Sequence, residues 1–334
     1  MHAWWLDPNG DDGMRAAASA ARRDLPGALD LARALGEKLS PADPGSLLTT
    51  WDALARAASV DLTVTRAVEP HLDALAILAQ AGVSAPADAT LGVYAAEGPG
   101  GRLRGEQAAD GWRLTGPKPW CSLASELSHA LVTAWVDDER RGLFLIDLRQ
   151  PGVRIDDAPW VSSGLSLIRS SGITLDDVPA VPVGEPQWYL ARPGFAWGGI
   201  GVAAIWYGAA VGIALRLREA VIAGRQDDVT LMHLGACDSA LLGARGALRQ
   251  AAADIARDAV ARDAAWPYAL RVRDVCARAA EDVIRHADHA MGPGPLTSDE
   301  PYARLVDDLR VYVRQHHAER DQVALGRALL GPSG

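Results

Sequence analysis

The sequence predicts a mostly helical α+β chain: an N-terminal helical domain, a middle β domain and a C-terminal four-helix bundle. Three observations predict it. Residues 1–88 and 185–334 carry alanine and leucine at helical spacing. Residues 89–184 change texture to short β-like runs between turn residues. The most apolar stretch, residues 198–217, is rich in the small residues that let helices approach closely. At 334 residues the chain has room for two or three domains.

Residues 16–35 read as one helix, and the breaker-dense SPADPGS at 40–46 follows it. Residues 47–81 read as the next. Leu54, Ala57, Ala58 and Leu62, then Leu72, Leu75, Ala76 and Leu78 keep close to helical spacing, and Gly82 and Pro86 mark the exit. Strands are expected over 91–95, 112–115, 130–136, 143–148, 153–155 and 172–175, with turns at Asp110-Gly111, 137–142 and Pro151-Gly152. So many short strands in so little chain suit a small barrel or a sandwich. Helices are then expected over 201–223, 230–262, 266–290 and 300–330, as an antiparallel bundle. The first is apolar all round and holds Gly208, Ala209, Ala210 and Gly212, so it belongs at the centre as a buried core helix, not a membrane span.

Net charge bounds the partners. At −9, the chain lacks the basic footprint that nucleic acid or an anionic membrane surface requires. Three cysteines without a Cys-x-x-Cys pair suggest a reducing compartment, with neither a disulfide framework nor a structural zinc. The N-terminal MHAWWLDPNGDDG has no apolar signal core, so the expected location is cytoplasmic.

The most informative stretch is GWRLTGPKPWCSLA, residues 111–124. Its first half alternates like a strand. Its second half is kept out of a helix by Pro117 and Pro119. In an extended chain Trp120 and Ser122 point the same way, and a flat ring beside a hydroxyl suits a planar heterocycle. The same residues also read as a hairpin with a core tryptophan.

The helical, β, helical-bundle order and five segments together resemble the acyl-CoA dehydrogenase family of flavoproteins. The segments are VYAAEGPGG (93–101), GWRLTGPKPWCSLA, SGITLDDVPA (171–180), HAMGPG (289–294) and RLVDDLRVYVRQHH (304–317), and the match runs over roughly residues 50–330. The resemblance implies a middle β-barrel, bound FAD and assembly as a homo-oligomer or with a paralogue. It implies that Trp120 packs on the isoalloxazine and that Ser122 bonds near N5. The backbone at Ala95, Ala96 and Glu97, with Gly101 in the glycine loop, would meet the pyrimidine edge, and Cys121 would fill an apolar slot. Arg225, His289 and Gly292 would approach the FAD of a neighbouring subunit. The implied reaction is α,β-desaturation of an acyl-CoA or related thioester in fatty acid metabolism, with an electron-accepting flavoprotein as partner.

The chain departs from the family pattern at the base. If Asp308 is the aspartate of the usual Arg-Asp pair, the catalytic glutamate eight positions on is His316, and the arginine is Asp307. An alternative acid near the start of the first bundle helix is also missing, since residues 194–206 hold none. Arg225 is followed by Gln-Asp-Asp, and aspartates beside a pyrophosphate repel it. His316 is the candidate base, because imidazole titrates near neutrality; the competing reading of His316 and His317 is a polar helix end. Three functions follow: a dehydrogenase with an unusual base, a catalytically degenerate subunit of a hetero-oligomer, or a flavin-dependent monooxygenase. Glu69 and His71 flank Pro70, which is expected to kink their helix, and read as structural. Trp4, Trp5, Trp51, Trp197 and Trp206 read as core or interface anchors.

Overall fold

The computed structural model describes residues 12–39, 42–98 and 100–331, so Trp4 and Trp5 lie outside the described residues. Four helices come first: α1 (Gly13–Ala20), α2 (Leu25–Lys38), α3 (Leu47–Ala58) and α4 (Leu62–Gln80). The two long helices expected here are each divided. Arg23 adopts a left-handed φ of 60° and Pro26 opens α2, which separates α1 from α2. Between α3 and α4 the Asp61 carboxylate accepts the Val64 N–H at 3.1 Å and caps a new helix. By contrast α4 runs unbroken through Pro70, where a kink was expected. Most of its length is buried, and packing on several sides holds it despite the missing N–H.

Seven strands follow: β1 (Leu91–Tyr94), β2 (Arg104–Ala108), β3 (Gly111–Lys118), β4 (His129–Trp135), β5 (Arg141–Asp147), β6 (Val153–Ile155) and β7 (Ile173–Pro182). They run in the order β1-β4-β2-β3-β7-β5, and β4 also pairs with β5, so the sheet closes on itself as a barrel. β2 was missed in the sequence. Its RGEQA is largely solvent-facing, so it carries no apolar alternation, and its pairing with β3 across Asp110-Gly111 makes it a strand.

The chain ends in helices again: α5 (Trp188–Ala191), α6 (Pro193–Ile222), α7 (Asp228–Ala256), α8 (Ala265–Met291), α9 (Gly294–Ser298), α10 (Glu300–Tyr312) and α11 (Glu319–Leu330). α6 is long and apolar enough to cross a membrane, but 83% of its apolar window is buried inside the fold. A Cβ on Gly208 would stand 2.2 Å from the Ala55 carbonyl, so only glycine lets α3 cross there. The long helix expected over 300–330 is interrupted. A 3₁₀ turn spans Val313–Gln315, His316 is extended, and Ala318 has a φ of 43°. Glu319 therefore opens a new helix and does not continue the one that carries Asp308.

Candidate active site

The end of the barrel is organised by a buried ion pair. Lys118, the last residue of β3, is 1% exposed. Its Nζ donates to Glu97 Oε1 at 2.7 Å and to Thr133 Oγ1 at 2.9 Å, tying the loop after β1 to β3 and β4. Burial acts to raise the Glu97 carboxyl, but hydrogen bonds from Lys118 and Trp135 and the charges of Lys118 and Arg141 hold it below the ordinary range. Glu97 is thereby committed to holding the loop. Thr133 Oγ1 also lies 3.5 Å from the Ala95 carbonyl, while Ala96 is exposed. Gly101 has a φ of +124°, where glycine is favoured, and a Cβ on it would come within 3.2 Å of Pro117.

Trp120 and Ser122 are close together, but the chain between them is not the extended segment expected. Trp120 has a left-handed φ of 60° and its ring is 60% exposed, so the core-tryptophan alternative does not hold. Cys121 and Leu123 donate their N–H groups to the Ser171 and Arg169 carbonyls, both at 2.8 Å. Cys121 is fully buried, and burial pushes its thiol up to about 12, so it fills a slot and is inert. Ser122 Oγ lies 2.7 Å from Ser170 Oγ, which bonds the Ile168 carbonyl at 3.1 Å. A carbonyl only accepts, so the protons of both hydroxyls run toward Ile168, and Ser122 Oγ keeps free lone pairs. An exposed indole, a hydroxyl and a loop leaving the sheet fit one edge and face of a planar heterocycle.

Arg225, His289 and Gly292, expected to approach the flavin of a neighbouring subunit, gather at one end of α8, and His316 packs apart from the barrel end. Arg225 donates to the carbonyls of Ala290 and Met291, both at 3.3 Å, just before Gly292 ends α8. His289 stacks edge-on to His233 at 5.8 Å. These three residues therefore share one end of α8. His316 turns inward, its ring 6.2 Å from that of Trp206 and its Nε2 3.8 Å from Asp274 and 3.9 Å from Asp321. Burial pulls its pKa down, which favours neutral imidazole. Among the described residues, no hydrogen bond, ion pair or ring contact joins His316 to Trp120, Ser122 or Glu97. Asp308 is buried, accepts the Leu165 N–H at 2.5 Å, and pins that loop to α10. Burial pushes its carboxyl up to about 7.

A cavity opens between α3, α4 and the start of α6. Its apolar wall includes Trp51, Leu54, Leu72 and Trp197. Its polar wall is Thr50, Glu69, Asp73, Gln80 and Arg192. Glu69 Oε2 accepts from Arg66 Nη1 at 2.7 Å, and the same Nη1 lies 3.4 Å from the Tyr312 hydroxyl of α10. Burial, added to the nearby charge of Asp73, pushes the Glu69 carboxyl up to about 7 against the pull of Arg66. Arg192 Nη1 donates to Gln80 Oε1 at 2.6 Å, and its Nη2 stops 3.8 Å from Asp73 Oδ1. Thr50 Oγ1 is buried with no hydrogen-bond partner.

Sequence reasoning treated Glu69 as structural and did not single out Asp73, Arg192 or Thr50. Glu69 and His71, two residues apart on the helix, face away from each other. His71 packs toward Gly36 of α2, and burial pushes its pKa down to about 4. The available signal was Glu69 and Asp73 four apart, hence one above the other, on a largely buried helix.

No family model matches this sequence, and no curated protein matches it. Solved structures do. FMN-bound TdsC from Paenibacillus sp. A11-2, a dibenzothiophene monooxygenase, superposes with a TM-score of 0.78 at 18% identity, covering 95% of this chain and 94% of its own. KijD3 in complex with FMN and a dTDP-linked amino-keto sugar gives 0.76 at 19% identity, over 95% and 90% of the two chains. Butyryl-CoA dehydrogenase from Megasphaera elsdenii gives 0.74 at 19% identity, over 85% and 82%. With its closed barrel set between two helical regions and α6 at the centre, this chain has the acyl-CoA dehydrogenase fold.

Proposed function

We propose that the chain is a flavin-dependent oxidoreductase that oxygenates a small molecule held in the α3/α4/α6 cavity. One observation carries this reading. The largely apolar cavity also holds Glu69, Asp73 and Arg192, whereas a slot for a thioester's acyl tail has no use for buried charge. In this reading the flavin lies at the barrel end, against Trp120, Ser122 and the backbone of Ala95–Glu97. The flavin, when bound, supplies the redox chemistry. The chain binds and orients it, and the helices shield the substrate from water. FMN suits the chain better than FAD. Arg225 is engaged by the carbonyls at the end of α8 and sits beside Asp227 and Asp228, a poor setting for a pyrophosphate. TdsC and KijD3 were both solved with FMN.

A second reading, desaturation of an acyl-CoA, is favoured by Glu69. A cavity carboxyl tuned to about 7 is suited to proton abstraction, in place of the glutamate absent at position 316. An electron-accepting flavoprotein would then complete the cycle. One experiment separates the readings. The flavin-loaded protein is mixed anaerobically with acyl-CoA thioesters of graded length, then, separately, with a flavin reductase, NADH and oxygen. The oxygenase reading expects no bleaching by any thioester and altered reoxidation of the reduced flavin relative to free flavin. Rapid bleaching by a thioester overturns it in favour of desaturation. Protein that takes up flavin only beside a co-expressed paralogue indicates the degenerate-subunit reading.

A further inference from the structure

We infer that the α3/α4/α6 cavity recognises a ligand carrying a protonated amine on an apolar or ring-shaped body, with Asp73 as the ammonium partner. This rests on the cavity being the substrate site proposed above. The argument is one of unspent charge. The cavity brings together two carboxylates, and each has an arginine nearby. Glu69 is paired at hydrogen-bond distance with Arg66, which also packs on the Tyr312 ring with its guanidinium carbon 4.9 Å from the centroid. Arg192 is directed elsewhere. It bonds Gln80, and its guanidinium carbon stands 5.3 Å from the Tyr189 ring centroid.

Asp73 is left with that arginine at 3.8 Å, beyond hydrogen-bond reach, and among the described residues it has no other ion-pair partner. The Asp73 carboxylate is 23% exposed and opens on the cavity. A mostly buried carboxylate with unfilled lone pairs is costly unless a donor reaches it. Thr50 gives a second, independent sign: the residue is 5% exposed and lines the same space, and its hydroxyl oxygen is buried with no partner. A carboxylate and a free hydroxyl together favour a cationic N–H donor over an anion. The facing wall of Trp51, Trp197, Leu54 and Leu72 takes a hydrocarbon body and offers aromatic faces to a cation.

The test uses three probes of one skeleton: 2-phenylethylamine, 2-phenylethanol and phenylacetate. Binding to the purified full chain is followed by calorimetry and by quenching of tryptophan fluorescence. The amine is expected to bind at least ~10-fold more tightly than the alcohol, with the carboxylate weakest. Asp73→Asn removes that preference, and Thr50→Val weakens the amine several-fold while keeping it preferred. Thermal melts confirm that each variant is folded, and Thr50→Val keeps the test alive should Asp73→Asn fail. Equal affinity for the three probes, a preference that survives Asp73→Asn, or no amine binding at millimolar concentration overturns the inference. Amine binding without flavin-dependent oxygenation would sink the proposed function alone. Oxygenation of neutral substrates with no amine preference would sink this inference alone.

Discussion

The barrel end and the helical cavity handle buried charge in opposite ways. At the barrel end Lys118, Glu97 and Thr133 close on one another at 2.7–2.9 Å, and Arg141 adds a second cation to Glu97 at 3.5 Å. Each of those polar groups is committed to protein. In the cavity the pairing is incomplete: Asp73 and Arg192 stop at 3.8 Å, and Thr50 and Arg192 Nε keep buried atoms without partners. A closed network fixes a loop in one shape. An open one raises the free energy of the empty protein and lowers it again when a ligand supplies the missing bonds. On the proposed reading, the barrel end supplies fixed geometry and the cavity supplies recognition.

Four changes test the contrast, in order of expected size. Gly208→Val drives a side chain into the Ala55 backbone where α6 crosses α3, and so distorts the cavity from behind. It should lower unfolding free energy by more than about 3 kcal/mol in urea titration. A loss below 1 kcal/mol would show that the crossing is soft and that the cavity shape is not fixed by it.

Glu69→Gln follows in size. Between its ordinary 4.5 and its folded value of about 7, Glu69 binds more protons folded than unfolded, so stability falls as pH rises through that window. Glutamine should remove about 3 kcal/mol of that fall. Asp308, also pushed up to about 7, leaves a residual slope in the variant. Identical slopes in parent and variant between pH 4.5 and 7 would mean that Glu69 titrates normally.

Lys118→Met strikes the closed network. Glu97 is one-third exposed and can turn to water, so the cost is set mainly by the buried Thr133 hydroxyl and the released loop, about 2 kcal/mol. Flavin affinity should fall with it, because the loop carrying Ala95 and Ala96 loses its anchor. Retained affinity would separate the ion pair from the site. Ser122→Ala is the smallest of the four, about 1 kcal/mol or roughly five-fold in flavin dissociation constant, and Ser170→Ala serves as its control with a fraction of that effect. Unchanged affinity and reduction rate in both would remove Ser122 from the flavin edge.

The fold was largely legible because its signals are local. Helical spacing and small residues marked the course of α6, and turn residues at Asp110-Gly111 marked the β2–β3 hairpin even though β2 itself was hidden by its polar face. What failed was continuity. The sequence over 300–330 keeps helical composition through Gln315-His316-His317, and the competing reading of a polar helix end there is the one the structure bears out, with His316 packed on Trp206. The same limit applied at Trp120, where alternation was a fair reading of a Pro-Lys-Pro segment until a left-handed residue turned it.

By itself the sequence determined the order of helical, β and helical regions and the central course of α6. Each depends on residues within a few positions of one another. Only the tertiary structure decided that Thr50 of α3, Glu69 and Asp73 of α4, and Arg192 before α6 share one cavity. It also decided which of their charges are spent. Pairing in a buried site depends on distances between elements that no local pattern encodes, and a gap of about an ångström separates an anchored carboxylate from one free for a ligand.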